Sequence, residues 1–425
     1  MSTFLSISDA ASQLDVSIDT IRRWHKKGLI KAVRDARQNR LFDRTELERA
    51  RAKYAGGDES HPFKILKSRA RHGLSSVELF AGAGGLALGL ENAGFKHRLL
   101  VEIDKDAAAT LRANRPDWRV ECRDAREVSY EGVKADVVLG GFPCQAFSYA
   151  GNQMGFDDVR GTLFFELARC IKEVRPKVAV GENVRGLLQH DNGRTLRTMI
   201  GVLRELGYRV CTRLLRAQYL DVPQKRERLI VLAVRKDVDA PFIFPRERDY
   251  TVSLRAALKD VPESPGQAYP EKKRRIMELV PPGGYWRDLP PKLQREYMGG
   301  SFHLPGGKTG MARRLAWDEP SLTLTCAPAQ KQTERCHPDE TRPLSVREYA
   351  RIQTFPDDWR FVGSTSSAYK QIGNAVPVNL GFHLGSCIAA MLGGLFDTKG
   401  MVRVDESACE TVRGAEPTLF DLVGS

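Results

Sequence analysis

The sequence predicts an α/β protein from Ser76 onward, with a small winged helix-turn-helix in front of it. Three patterns carry this reading. SSVELFAGAGGLALGL reads as strand, glycine-rich turn and helix. The apolar runs HRLLVEID, DVVLGG and PKVAVGENV each end in acidic, amide or glycine residues, as buried strands do where an open α/β sheet carries its chemistry. SISDAASQLDVSIDTIRRWHKKGLI holds two short amphipathic helices around a tight turn.

With 425 residues the chain is too long for one small core, and two or three domains are expected. No apolar run approaches the roughly 18 residues of a membrane span, so no membrane partner is expected. The first residues lack the basic and apolar regions of a secretory signal. The eight cysteines are scattered without a C-x-x-C pair, which argues against structural zinc and a disulfide scaffold and for a reducing cytoplasm. The net charge of +13 points to a polyanionic partner, most simply nucleic acid.

In the front segment, residues 1–53, Ser8 is placed to cap the first helix, with Ala10, Ala11 and Leu14 as its apolar stripe. Ile18, Ile21 and Trp24 turn inward on the second. Thr20, Arg22, Arg23 and Lys26 then form its outward, DNA-contacting face. GLIKAVRDARQNRLFDRTELERA reads as a two-stranded wing and another capped helix. The segment resembles the MerR-type regulators. Residues 54–75 read as a linker.

The glycine-rich turn follows a strand of Val77, Leu79 and Phe80. Gly82, Gly84 and Gly85 permit a tight turn and close approach of a ligand to a helix N-terminus. Glu102 and Asp104, about twenty residues on, are placed to hold ribose hydroxyls, and Asp124 an adenine amino group. This pattern alone does not separate NAD from S-adenosylmethionine.

Cys144 lies just past the run Val137–Leu139, in a loop shaped by Gly140, Gly141 and Pro143. A nucleophilic thiol there needs a partner. Glu182 ends the next apolar strand, and Gln224, Arg226 and Arg228 precede a further one. Arginines at alternate positions project to one side of an extended segment.

FAGAGG, PCQAFS, ENV, QKRER and QIGNAVP occur in this order, and together they resemble the ordered motifs of the DNA cytosine-5 methyltransferases, from about Ser76 to Leu392. The resemblance implies a Rossmann-like sheet binding S-adenosylmethionine, with S-adenosylhomocysteine as product and no metal, and a smaller domain that reads double-stranded DNA. It implies Cys144 as the nucleophile toward cytosine C6 and Glu182 as the proton holder at N3. It gives Arg228 the O2 edge and Arg226 a neighbouring phosphate. Phe80, Pro143 and Asn374 join Gly82, Gly84, Gly85, Glu102 and Asp124 around the cofactor. The target base must be flipped from the duplex. The loop SYAGNQMGFDDVRG would close over it, with Ser148 and Arg160 as DNA contacts.

The catalytic domain is then residues 76–235 with a C-terminal part at 342–395, and the target-recognition domain is 236–341. In the latter, Thr323 and Thr325 of a short strand SLTLT, with Arg313, Arg314 and Lys331 nearby, are candidate readers, as is Gln224 before it. Residues 396–425 form a tail without a readable motif. The compact size resembles bacterial modification enzymes of type II restriction-modification systems. Such an enzyme shares DNA sites with a cognate endonuclease and needs no complex with it. A cytoplasmic, nucleoid-associated monomer is expected, a dimer being open to it through the front domain, which either autoregulates its operon or adds non-specific DNA affinity. An NAD(P)-linked oxidoreductase would use the same glycine turn but would leave Cys144 and Glu182 without a joint purpose. A transcription factor with an inactive methylase body would not need the Cys144, Glu182 and Arg228 set.

Overall fold

The computed structural model describes residues 4–14, 16, 18–26, 30–34, 39–54, 61–69, 72–142, 162–303, 309–393 and 399–409. The front segment forms a three-stranded sheet of β1 (Phe4–Ser6), β2 (Ala32–Arg34) and β3 (Arg40–Asp43), with helices α1 (Ile7–Leu14), α2 (Ile18–Lys26) and α3 (Arg44–Tyr54). Ala10, Ala11, Leu14, Ile21 and Trp24 close its core, as the apolar spacing predicts. The cap differs by two residues from the expected one. Ser6, not Ser8, accepts the Asp9 N–H at 3.2 Å, because β1 runs directly into α1.

The main sheet has the order β6–β5–β4–β7–β8–β11–β9. Its strands are β4 (Ser75–Leu79), β5 (Lys96–Val101), β6 (Val120–Glu121), β7 (Val137–Gly141), β8 (Val178–Val184), β9 (Tyr208–Arg216) and β11 (Glu227–Arg235). The short β10 (Gln224–Lys225) lies outside it. β4 to β8 pair in parallel, and β11 runs antiparallel to both β8 and β9. The parallel strands are apolar on both faces because helices cover both. One face is packed by α6 (Leu163–Val174) and α7 (Arg194–Glu205). The other is packed by α4 (Gly85–Asn92) and a C-terminal helix, Val378–Gly393.

The chain leaves β4 toward β6 and returns on the other side through β7 and β8. The strand order therefore reverses between β4 and β7, and a crevice is expected at their carboxyl ends. Both the glycine turn and the loop entering Cys144 leave the sheet there.

The stretch Thr365–Gly393 is long and apolar enough to span a membrane, contrary to the expectation from runs alone, yet its most apolar window is 78% buried within the protein. A backbone atom explains the packing. A Cβ on Gly85 would stand 2.0 Å from the Val376 carbonyl, so only glycine allows this approach.

Part of the expected linker is anchored. Leu66 N–H donates to Asn379 Oδ1 at 2.9 Å, and Asn379 Nδ2 returns a bond to the Lys64 carbonyl. The expected tail also contributes structure. β14 (Met401–Val404) pairs antiparallel with β12 (Phe242–Pro245), and Cys409 forms a disulfide with Cys211 across 198 residues of chain. The sequence reading expected neither, because both pairings are long-range and leave no local pattern.

Candidate active site

The glycine turn begins one residue earlier than predicted. β4 ends at Leu79, and Phe80 adopts a left-handed conformation, φ 58°. A non-glycine residue held there marks a constrained position, and it leaves the Phe80 ring half-exposed beside the turn. Gly84, also left-handed, caps α4, which leaves free N–H groups at the start of the helix.

Glu102 and Asp104 separate in role. Glu102 is buried, and its carboxylate accepts the N–H groups of Gly82 and Asp104, each at 2.7 Å. Burial raises its pKa, and those two backbone bonds oppose the shift. Asp104 instead caps the helix Lys105–Asn114 and pairs with Lys370 at 2.8 Å. Asp124 caps a short turn and remains partly exposed beyond β6.

Glu78 was not singled out from sequence. It is a carboxylic acid inside the otherwise apolar strand β4, fully buried, with Oε2 lacking a hydrogen-bond partner among the described residues. Burial, then the proximity of Glu102 and Glu182, pushes its pKa well up. Its signal in the sequence was an acid between Val77 and Leu79.

Two strands over from Glu78, on β8, Glu182 sits in register with Gly141 of β7, three residues before Cys144 in sequence. Asn183 Nδ2 donates to the Phe142 carbonyl at 2.8 Å, which fixes the start of the Pro143–Cys144 loop. Pro143, Cys144, Ser148 and Arg160 lie outside the described residues. Arg228, on β11, brings Nε to 2.5 Å from Glu182 Oε1. A cleft of about 420 Å³ opens beside this pair, lined by Arg185, Arg216, Gln218, Lys225, Arg228 and Thr323 among others. Its cationic rim suits a polyanion. The rim cations are held by Glu227, Glu247 and Glu319, so they are oriented as well as charged.

Other candidates are placed differently. Gln224 is 0% exposed and offers no surface to a base edge, whereas Arg226, 2% exposed, borders the cleft with almost all of its side chain buried. Burial lowers the Arg226 pKa to about 9. β10 ends at Lys225 and β11 begins at Glu227, yet both arginines of QKRER border the same cleft, Arg228 openly and Arg226 almost wholly buried. Only Ser321–Leu322 of SLTLT is strand, pairing in parallel with Gln224–Lys225. Thr323 lines the cleft and donates to the Lys225 carbonyl at 2.6 Å. The Thr325 hydroxyl is engaged with Ala327 and Thr333.

Arg314 is buried among carbonyls, including those of Met277, Val280 and His337, and so is a structural residue rather than a reader. Asn374, exposed at the end of a helix, accepts from Cys326 Sγ at 3.0 Å. Thr20 is also misassigned by the helical wheel. It is 1% exposed, and its hydroxyl donates to Asp318 of the target-recognition region. Arg22 is exposed, and the Arg23 side chain lies outside what is described.

A glycine turn at a strand-order switch, with an acid–arginine pair at the adjacent strand ends, defines an α/β enzyme of nucleotide-cofactor type. Residues 74–390 match the family model of C-5 cytosine-specific DNA methylases, and residues 6–42 match that of MerR family regulatory proteins. The chain belongs to the C-5 cytosine-specific DNA methylase family. It is 54% identical to Type II methyltransferase M.Eco47II of Escherichia coli, over 91% of this chain and 95% of that protein. It is 53% identical to Type II methyltransferase M.PspPI of Psychrobacter sp., over 91% and 96%. Type II methyltransferase M.Sau96I of Staphylococcus aureus is 52% identical over 74% of this chain and 75% of its own. In fold, the chain is similar to a prophage-encoded protein of E. coli described as a DNA modification methyltransferase (TM-score 0.56, 22% identity, 75% of this chain and 99% of that one). It is also similar to the Entamoeba histolytica methyltransferase EhMeth (TM-score 0.53, 13% identity, 77% and 100%).

Proposed function

We propose that this chain is the modification methyltransferase of a Type II restriction-modification system, acting on C5 of a flipped cytosine in a specific duplex sequence. The observation that carries the proposal is the Glu182–Arg228 pair, with Glu182 in register with Gly141 at the end of β7 and two strands from the strand that leads into the glycine turn. The relatives' names, all Type II methyltransferases, support the biological setting.

The residues at the glycine turn fit S-adenosylmethionine. Glu102 turns a carboxylate toward the loop, Phe80 offers a ring face, and the uncapped N–H groups of α4 lie next to it. Gly82, Gly84, Gly85, Asp124, Pro143 and Asn374 would complete the pocket. When bound, S-adenosylmethionine supplies an electrophilic methyl group.

The side chains supply the rest. Cytosine C5 is too weak a nucleophile by itself. Cys144 Sγ would add to C6, while Glu182 delivers a proton to N3 and so takes up the charge pushed into the ring. Arg228 would hold the O2 edge and keep the Glu182 carboxyl group aimed. After methylation, solvent water takes the C5 proton, the C5–C6 double bond re-forms and Cys144 leaves as thiolate, and the N3 proton returns to Glu182. Ser148 and Arg160 would secure the closing loop on the DNA.

The front domain, by its MerR-type match, would bind the promoter of the enzyme's own operon and limit its synthesis. The enzyme would act as a cytoplasmic monomer that shares sites, but no complex, with its endonuclease.

Bisulfite sequencing of DNA from cells expressing the chain tests the main proposal. One short motif whose cytosine resists conversion is expected. Uniform conversion would overturn the assignment.

A further inference from the structure

Arg226 borders the cleft but is almost wholly buried, and a buried guanidinium is costly and its surroundings are specific. It is 2% exposed, and it makes no ion pair among the described residues; Nε lacks a hydrogen-bond partner. Its two terminal nitrogens reach main-chain carbonyls from two distant segments, and Nη1 also donates to Gln224 Oε1 at 3.4 Å. Nη1 donates to Leu324 at 3.2 Å, and Nη2 donates to Gly373 at 3.0 Å and Ala375 at 3.1 Å.

Two buried amides complete the joint. The Gln224 side chain accepts the Leu324 N–H at 2.9 Å and donates to Gln353 at 2.8 Å. Gln353 Nε2 in turn donates to the Ile372 and Ala375 carbonyls. Contact between the segments is tight, since a Cβ on Gly373 would stand 2.3 Å from the Thr325 carbonyl.

Each segment leads to a different ligand face. Leu324 lies between Thr323, on the wall of the cationic cleft, and Thr325. Gly373 and Ala375 flank Asn374 and run into Val376, whose carbonyl rests on Gly85 of the glycine turn. A planar fork bonded to both segments at once resists shear between them.

We propose that Arg226 is a positioning residue that couples engagement of the duplex in the cleft to binding of the cofactor at the glycine turn. This rests on the cofactor assignment made above. Coupling is reciprocal and is measured as the factor by which one ligand tightens the other.

Equilibrium dialysis of the full chain with labelled S-adenosylhomocysteine, alone and with saturating unmethylated plasmid DNA, reads that factor. For the wild-type chain, DNA is expected to tighten binding at least about fivefold. In Arg226→Lys, binding without DNA should stay within about twofold of wild type while the tightening falls below about twofold.

Retained tightening in a folded Arg226→Lys variant overturns the proposal. So does a loss of DNA affinity alone with a salt slope lower by about one, the mark of a lost phosphate contact. Wild-type binding without any tightening overturns the coupling alone, whereas no S-adenosylhomocysteine binding at all overturns the cofactor assignment and the coupling with it. If Arg226→Lys does not fold, Gln353→Leu decides by the same criterion, since it keeps the charge and removes the amide bonds to Ile372 and Ala375.

Discussion

Glu182 and Arg228 meet across antiparallel strands, Nε to Oε1 at 2.5 Å, although the residue in register with Arg228 is Val184. The arginine thus reaches diagonally back along β8 to the Glu182 side chain. Replacing Glu182 with Gln keeps the shape and one hydrogen-bonding oxygen but removes the transferable proton. Turnover should fall by about 10²–10⁴-fold. Gel-shift affinity for DNA should change little. A variant with near wild-type turnover would remove Glu182 from the proton-holding role.

The Cys144→Ser substitution should abolish methyl transfer, by on the order of 10³-fold or more, while DNA and cofactor binding persist. Denaturing gels of enzyme incubated with 5-fluorocytosine DNA give the direct reading. The wild-type chain should form a heat-stable adduct and the variant none. An adduct in the Ser variant would point to another nucleophile.

Asp221 offers a test of pH dependence. Burial pushes its carboxyl pKa up, but bonds from His383, at 3.0 Å, and Tyr250, at 2.6 Å, outweigh burial and hold it below its ordinary value. A depressed carboxyl pKa contributes stability that is present above the unfolded value, about 3.9, and is lost as pH falls through the folded value. Asp221→Asn tolerates the left-handed backbone, φ 57°, but lacks the charge. It should cost roughly 2 kcal/mol near neutral pH and flatten the acid side of the Tm–pH profile. Parallel losses in both proteins from pH 6 to 3 would show that Asp221 contributes nothing there.

Deleting residues 1–53 should leave the set of methylated sites unchanged and remove any footprint on the operon's promoter. Genome-wide bisulfite profiles of the two forms make the comparison. A shift in target choice would mean that the front domain takes part in recognition, for which the Thr20–Asp318 contact offers a route.

The strands and their ends were readable because each is a local pattern. β4, β7 and β8 are apolar runs; the glycine turn follows β4, Gly141 closes β7, and β8 runs two residues past Glu182 to Val184. The five ordered motifs then singled out Glu182 and Arg228, whose side chains meet in the fold. What local pattern did not reveal was burial set by distant chain. Arg226 and Gln224 read as surface residues of an extended segment, and only Leu324, Gly373 and Gln353 enclose them. Thr20 stands on a helix face that would be exposed in an isolated domain, and contact with Asp318 reverses that. β14 carries no motif because its pairing with β12 needs only a short extended run.

The seating of Val376 against Gly85 has a consequence for biosynthesis. The ribosome makes the glycine turn about 290 residues before the wall that supports it. A nascent chain thus holds the turn long before that wall exists. A chain cut short of Val376 should therefore lack modifying activity.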